Sequence, residues 1–376
     1  MFKWLICKFG KFYFSFIKKV KYIRIEKIAI IKSGAIGDIL MTTPFVRTLR
    51  KNYPDAEITY ITGDKFKDIL KGNKNIDRII TFDTKKLFDS NIIKRFNYFR
   101  KFANFLHTEK FDLCFILDKS YLANLFAYWC KIPVRIGFDR NGEGFPNTYN
   151  IKYKDVRHEI LYYLDLLKPL NITYDENDTK LDLFISKNDE RFASNFLRKN
   201  KIKKDDLIIG VAPASTKDPK KTSSLRIWSS ENYAKVIEKL VNLYNAKVIL
   251  FGSKEDVKSI KEIQSKINVK TYNSAGITKI KQAAALIKRC RLFITHDCGL
   301  MHIASAMDVI VISIFGPTDP RRKAPLNKGS IYLWKDKIKC ERCEIFGKFP
   351  YCKKHVGTDS IKPEDVLRYI DELVNN

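Results

Sequence analysis

The chain has 376 residues, more than one core usually takes up, and its 45% hydrophobic content is enough to bury two. Seventy Lys and Arg against 42 Asp and Glu leave a formal charge of +28, which points to an anionic partner, although a lysine-rich coding composition accounts for part of it. With no repeat of solenoid period and no low-complexity tract, repeat and disordered classes are set aside.

In residues 1–26, Phe2, Leu5, Phe9, Phe12, Phe16, Val20 and Ile23 recur at helical spacing among Lys8, Lys11, Lys18, Lys19, Lys21 and Arg24. Lysine breaks every apolar run well short of the roughly 20 residues of a spanning helix. Nor is there the apolar core and small-residue cleavage site of a secretory signal. Two readings stay open: a basic amphipathic helix lying on an anionic membrane, and an extra helix docked on the first domain.

Lys27–Ile31 reads as a short buried strand, followed by the Gly-rich turn Lys32-Ser33-Gly34-Ala35-Ile36-Gly37-Asp38 and a helix from about Ile39 to Asn52. Strands alternating with helical stretches continue from there, the pattern of parallel, doubly wound α/β sheets. One domain is expected over residues 27–170 and another over 205–355, joined by a polar connecting region, 171–204. Leu207 to Ala212 leads into Pro213-Ala214-Ser215-Thr216 and a lysine-rich loop closed by Arg226-Ile227-Trp228. Strand Arg291–Thr295 feeds His296-Asp297-Cys298-Gly299-Leu300-Met301-His302. There, free N–H groups and the positive end of a helix dipole are preorganised for a phosphate. Asp297 can accept from sugar hydroxyls, Gly299 permits close backbone approach, and His302 follows one turn later on the same face. A second such junction, Val309–Phe315 into Gly316-Pro317-Thr318-Asp319-Pro320, comes next.

Of eight cysteines, Cys7, Cys114, Cys130 and Cys290 sit among apolar or basic neighbours and read as reduced, packed thiols. Cys340, Cys343 and Cys352 with His355 have the spacing of a structural zinc site, and also of plain loop thiols. No metal enters the expected chemistry.

These stretches, in order from Lys27 to about Val366, resemble glycosyltransferase family 9, the lipopolysaccharide heptosyltransferases. The resemblance rests on Gly34-x-x-Gly37-Asp38 with Thr43-Pro44, Tyr53 to Thr59, Arg226-x-Trp228 and Leu250-Phe251-Gly252-Ser253. It continues through Ala275-Gly276, Asp297-x-Gly299-x-x-His302 and Phe315 to Asp319. It implies a GT-B fold, two Rossmann-like domains facing across a cleft, with the acceptor on the first and the nucleotide-sugar donor on the second. The C-terminal segment, 356–376, is then expected as a helix packing back on the first domain.

The same resemblance implies inverting, metal-independent transfer of a heptose or similar sugar, from ADP-heptose to a lipopolysaccharide core, with no cofactor. Ser215, Thr216, Arg226, Asp297, Cys298, Gly299 and His302 would hold the donor, with Gly276 and Thr278 near the adenine and Glu255 at a ribose hydroxyl. Cys298 stands where relatives often carry Thr or Ser and would act through its backbone N–H. Lys32 and Gly37 would contact the acceptor or the transition state. Asp38 is the expected base. From the residues alone, capping the helix at Ile39 is its plainer job; the resemblance makes it the group that deprotonates the acceptor. Partners implied are a nucleotide sugar, a phosphorylated glycolipid and the inner face of a bacterial cytoplasmic membrane. Nucleic acid is disfavoured, since no zinc finger, RNP-type motif or recognition helix stands out. Transfer of another sugar to another envelope glycan, and a non-catalytic nucleotide-sugar or nucleic-acid binder, are the alternatives.

Overall fold

A computed structural model describes residues 7, 24–87, 89–214, 226–335 and 356–374. Two units partition the chain, Met1–Asp182 and Leu183–Asn376. In the first, β1 (Lys27–Ile31), β2 (Glu57–Gly63), β3 (Arg78–Phe82), β4 (Leu113–Ile116), β5 (Val134–Asp139) and β6 (Tyr149–Lys152) form a parallel sheet ordered β3-β2-β1-β4-β5-β6. In the second, β7 (Ile208–Ala212), β8 (Lys247–Leu250), β9 (Tyr272–Asn273), β10 (Leu292–His296), β11 (Ile310–Ile314) and β12 (Ile331–Leu333) are ordered β12-β11-β10-β7-β8-β9. Counted from its own first strand, each sheet has the order 3-2-1-4-5-6 of a dinucleotide-binding fold. The strands are continuous β-branched and apolar runs because both sheet faces are covered: Ile28, Ile30, Ile209, Val211 and Ile294 are fully buried.

That order creates a switch point in each unit, between β1 and β4 and between β7 and β10, where successive connections leave in opposite directions and a crevice opens at the strand ends. In the first unit Ile31 pairs with both Ile61 and Ile116. One residue further on, Lys32 N–H donates to the Ile61 carbonyl (3.1 Å) and Leu117 N–H to that of Ile31 (2.9 Å). Lys32 and Asp118 therefore leave the sheet side by side. In the second unit Thr295 pairs with Ala212, so Asp297 leaves β10 beside the end of β7.

The helix expected from Ile39 to Asn52 is two pieces, α1 (Ile36–Leu40) and α2 (Thr43–Asn52). Pro44 has no N–H for the Leu40 carbonyl, and the hydroxyls of Thr42 and Thr43 donate instead to the carbonyls of Ile39 and Leu40, each at 2.7 Å. Helix α3 (Ile92–Thr108) precedes β4, α4 (Tyr121–Trp129) follows it, and α5 (Glu159–Asp165) follows β6.

Two segments near the expected domain boundaries are placed by their contacts. The stretch 171–204 does not stand apart but is shared out. Arg47 draws Asp178 (2.7 Å) and Asp182 (2.6 Å) onto the first unit. Helix α6 (Lys187–Lys199) belongs to the second, where Glu190 pairs with Lys288 (3.1 Å) and Arg289 (2.6 Å). The C-terminal helix is the other case. After α7 (Ser230–Tyr244), α8 (Ile280–Ile287) and α9 (Gly299–Ala306), the last helix α10 (Pro363–Val374) packs on α7. Val366 and Ile370 are buried in the second unit's own core with Ile361, and the Trp228 indole N–H donates to the Ile361 carbonyl at 2.9 Å.

Among the described residues no helix is long and apolar enough to cross a membrane. Cys114, Cys130 and Cys290 are buried thiols whose pKa values burial raises, that of Cys130 to about 12. The N-terminal helix expected over most of residues 1–26, and Cys340, Cys343, Cys352 and His355, lie outside the described residues.

Candidate functional site

Each switch point gathers charged side chains. In the first unit the Lys32 ammonium, almost entirely buried, lies 2.9 Å from Asp118 Oδ1 and 3.7 Å from Asp38 Oδ2. Asp118 uses its other oxygen to accept from Ser33 N–H at 2.7 Å, so one carboxylate fixes both the lysine and the start of the Gly-rich turn. Burial pulls the Lys32 pKa down, but Asp118, the Tyr163 phenol and Asp38 outweigh it and hold it well above the ordinary lysine value. The charge is permanent at physiological pH.

Beside it, Lys119 is ion-paired with Glu159 at the head of α5, and Glu159 also accepts from the Tyr153 hydroxyl. The Lys119 ammonium stands 4.6 Å and 4.9 Å from the ring centroids of Tyr153 and Tyr163. Burial dominates there and lowers the Lys119 pKa, against the pull of Glu159. Two neighbouring lysines are thus held in place by the carboxylates of Asp118, Asp38 and Glu159, so that their ammonium groups cannot swing away.

Asp38 is not a cap. Helix α1 starts at Ile36 with Ala35 at its N-cap, which places Asp38 inside the first turn. Its side chain remains 30% exposed, so a ligand can reach it, and the Lys32 ammonium lies 3.7 Å away. Gly37 beside it is buried in the same turn.

In the second unit, Asp297 follows β10 with its side chain only 5% exposed, and Arg226 Nη1 lies 3.4 Å from its Oδ2. Burial raises the carboxyl's pKa, but Arg226, Lys323, His302 and the Thr318 hydroxyl together bring it below the ordinary value. Cys298 is the extended N-cap of α9 and makes no side-chain cap; its sulfur sits 3.2 Å from the Thr295 hydroxyl, and burial keeps it a thiol. The backbone amides opening α9 at Gly299 are therefore not taken up by a side-chain cap from Cys298. His302 is buried one turn along the same helix. Behind the turn His296, fully buried, contacts the Tyr233 hydroxyl through Nδ1 at 3.1 Å, and burial pulls its pKa down to about 4.

Glu255, Gly276 and Thr278 lie at the ends of β8 and β9. Glu255 is exposed in the single turn Lys254–Asp256. Gly276 has φ +75° and donates to the Gly252 carbonyl at 3.2 Å, which joins the two turns; a side chain there would be strained and would press on Val257. The Thr278 hydroxyl is engaged with the Ser274 carbonyl at 3.3 Å. Ser215 and Thr216 lie outside the described residues. Asp118, Lys119, Glu159 and Tyr163 were missed, although Leu113 to Leu117 followed by Asp118-Lys119 carries the same strand-then-polar-turn signal that singled out Asp297.

Residues 99–347 match the model of "Glycosyltransferase family 9 (heptosyltransferase)". Lipopolysaccharide heptosyltransferase 2 of Salmonella typhimurium is 26% identical, over 80% of this chain and 86% of its own. The lipopolysaccharide core heptosyltransferase OpsX of Haemophilus influenzae is 26% identical, over 93% and 97%. In fold, the chain resembles the glycosyl transferase family 9 structure from Veillonella parvula (TM-score 0.78, 23% identity, 95% of this chain and 99% of that one). It also resembles the E. coli ADP-heptose lps heptosyltransferase II (TM-score 0.71, 22% identity, 93% and 98%). The fold is thus the GT-B class of two Rossmann-like domains that the sequence leads one to expect.

Proposed function

Because this chain belongs to glycosyltransferase family 9, the heptosyltransferases, we propose that it transfers a heptose from ADP-heptose to a sugar of a lipopolysaccharide core, with inversion and without a metal. The observation that carries the chemistry is Asp38: accessible, relieved of any capping duty and 3.7 Å from a buried lysine. As the acceptor hydroxyl oxygen bonds to the anomeric carbon, its proton passes to Asp38, and the electrons of the breaking sugar–phosphate bond leave with ADP. One displacement inverts the anomeric configuration. Lys32 and Lys119 hold an acidic acceptor sugar by charge, and their fixed partners orient them before it arrives.

The donor lies on the second unit, its diphosphate at the amides of α9 and its growing negative charge met by Arg226, which Asp297 positions. That arginine supplies the charge a metal would otherwise bring. Glu255, Gly276 and Thr278, with Ser215 and Thr216, complete the nucleotide side. The enzyme works in the cytoplasm at the inner membrane surface, where such an acceptor is lipid-linked.

The test is incubation of the purified chain with ADP-heptose and a core acceptor lacking that sugar, in chelator, followed by mass spectrometry. Release of ADP with one heptose added to the acceptor is the expected result. ADP-heptose that binds but is never transferred to any core acceptor would overturn the reading.

A further inference from the structure

Beside the charge cluster of the first unit lies an apolar surface that the transfer chemistry does not use. Among the described residues, eleven large hydrophobic side chains are exposed, and six of them fall on α3 and α4: Ile92 (69%), Ile93 (72%), Phe96 (53%), Phe105 (45%), Leu122 (55%) and Trp129 (44%). Helix α3 is exposed on every side from Ile92 to Asn97, where a soluble surface helix would normally turn its apolar residues inward.

Between the two helices and the ends of β1 to β3 lies a cavity of about 420 Å³. It is walled by Phe82, Phe99, Phe102 and Phe126, with Phe102 and Phe126 stacked at 5.7 Å and Phe99 edge-on to Trp129 at 5.5 Å. Ser33 and Asp118 form one end, beside the acceptor cluster. The size is that of a small-molecule site, but the wall is mainly aliphatic and aromatic, with Ser33, Arg95, Tyr98, Asp118 and Ser120 as its polar residues.

Charge decides among occupants. Helix α3 carries Lys94, Arg95, Arg100 and Lys101 and no acidic residue, and α4 carries no charge at all. Long cationic side chains around an apolar, aromatic face match a surface whose interior is hydrocarbon and whose rim is phosphate. We propose that this face docks on an anionic phospholipid bilayer, Ile92, Ile93, Phe96 and Leu122 entering its interface and one lipid acyl chain filling the aromatic cavity. This deepens the reading of the chain as an enzyme of the membrane surface and rests on it. It adds an anchor independent of residues 1–26 and sets the acceptor cluster at the headgroup level.

The experiment uses the full chain and no turnover, so its failure leaves the transfer reading intact. Binding is measured by flotation with phosphatidylglycerol/phosphatidylethanolamine vesicles and with phosphatidylcholine vesicles. Trp129 emission, isolated by subtracting a Trp129→Phe variant, is followed with acyl-brominated phosphatidylglycerol. Wild type should prefer the anionic vesicles, and bromine should quench Trp129. Ile92→Ser with Leu122→Ser, both at exposed positions and so compatible with folding, should weaken binding roughly tenfold or more, because two apolar side chains no longer leave water. Arg95→Glu with Arg100→Glu should abolish the preference for anionic lipid. Unchanged affinity of the serine variant would overturn the proposal. So would flotation without Trp129 quenching, the result expected if residues 1–26 alone held the membrane or themselves filled the cavity.

Discussion

Lys32 and Asp38 stand 3.7 Å apart, nitrogen to oxygen, at the mouth of the first sheet. The lysine's nearer partner is Asp118 at 2.9 Å, and Asp38, its side chain 30% exposed, is the more distant carboxylate beside the same ammonium.

Replacing Asp38 by Asn therefore separates chemistry from structure. The N-cap is Ala35 and Lys32 keeps Asp118, so melting temperature and donor affinity should hold. Single-turnover transfer should fall by roughly 10²- to 10⁴-fold, the usual worth of a positioned base. Near wild-type transfer would move the base elsewhere.

Asp118→Asn should do the reverse, striking stability first. It leaves a buried ammonium with the 3.7 Å contact to Asp38 and the more distant Tyr163, a loss of roughly 3 kcal/mol for breaking a buried pair. The Lys32 pKa is raised on folding, so its stabilisation is complete below the ordinary value of 10.5 and disappears only as pH rises through the folded value. The deficit measured by hydrogen exchange in β1 and β4 should accordingly be flat from pH 6 to 9. Pairing Asp118→Leu with Lys32→Met should recover part of it.

Arg226→Met should weaken binding of ADP by roughly tenfold, the worth of one charge-assisted contact, read by calorimetry. Arg226→Lys should recover only part, because an ammonium cannot span Asp297 and a phosphate as a guanidinium does. Equal affinity in all three proteins would remove Arg226 from the donor site.

His296 sets a pH dependence. Its pKa drops on folding from 6.5 to about 4, so the unfolded chain binds the extra proton in that window. Stability from the neutral imidazole is present above pH 6.5 and is lost as pH falls toward 4. Between pH 7 and pH 5 the second sheet should lose about 2 kcal/mol through this group. Hydrogen exchange in β7 and β10 should show that loss in wild type and much less of it in His296→Gln.

How much of this the sequence revealed depended on range. The strands, both Gly-containing turns and the roles open to Asp38 and Asp297 are local matters of apolar runs and helix starts, and they stood out. That Asp118 lies against Lys32 follows from β4 inserting beside β1, a pairing across 86 residues that no periodicity announces. Glu159 reaches Lys119 from α5 by the same kind of crossover. The broken helix at Thr42 was legible from Pro44 and was passed over because its apolar spacing runs on. The packing of α10 on α7 is not legible either, because an amphipathic segment states that it has a partner, not which one.

That last helix matters beyond its own packing. Its lead-in takes hold of both residues after Arg226: the Thr358 hydroxyl donates to the Ile227 carbonyl at 3.2 Å, and the Ile361 carbonyl receives the Trp228 indole N–H. Residues 358–361 are in effect a strut under the segment that carries Arg226, some 130 positions upstream in sequence. Shortening the protein from its C-terminus should thus register as a defect in nucleotide affinity, although no residue removed need ever touch the nucleotide.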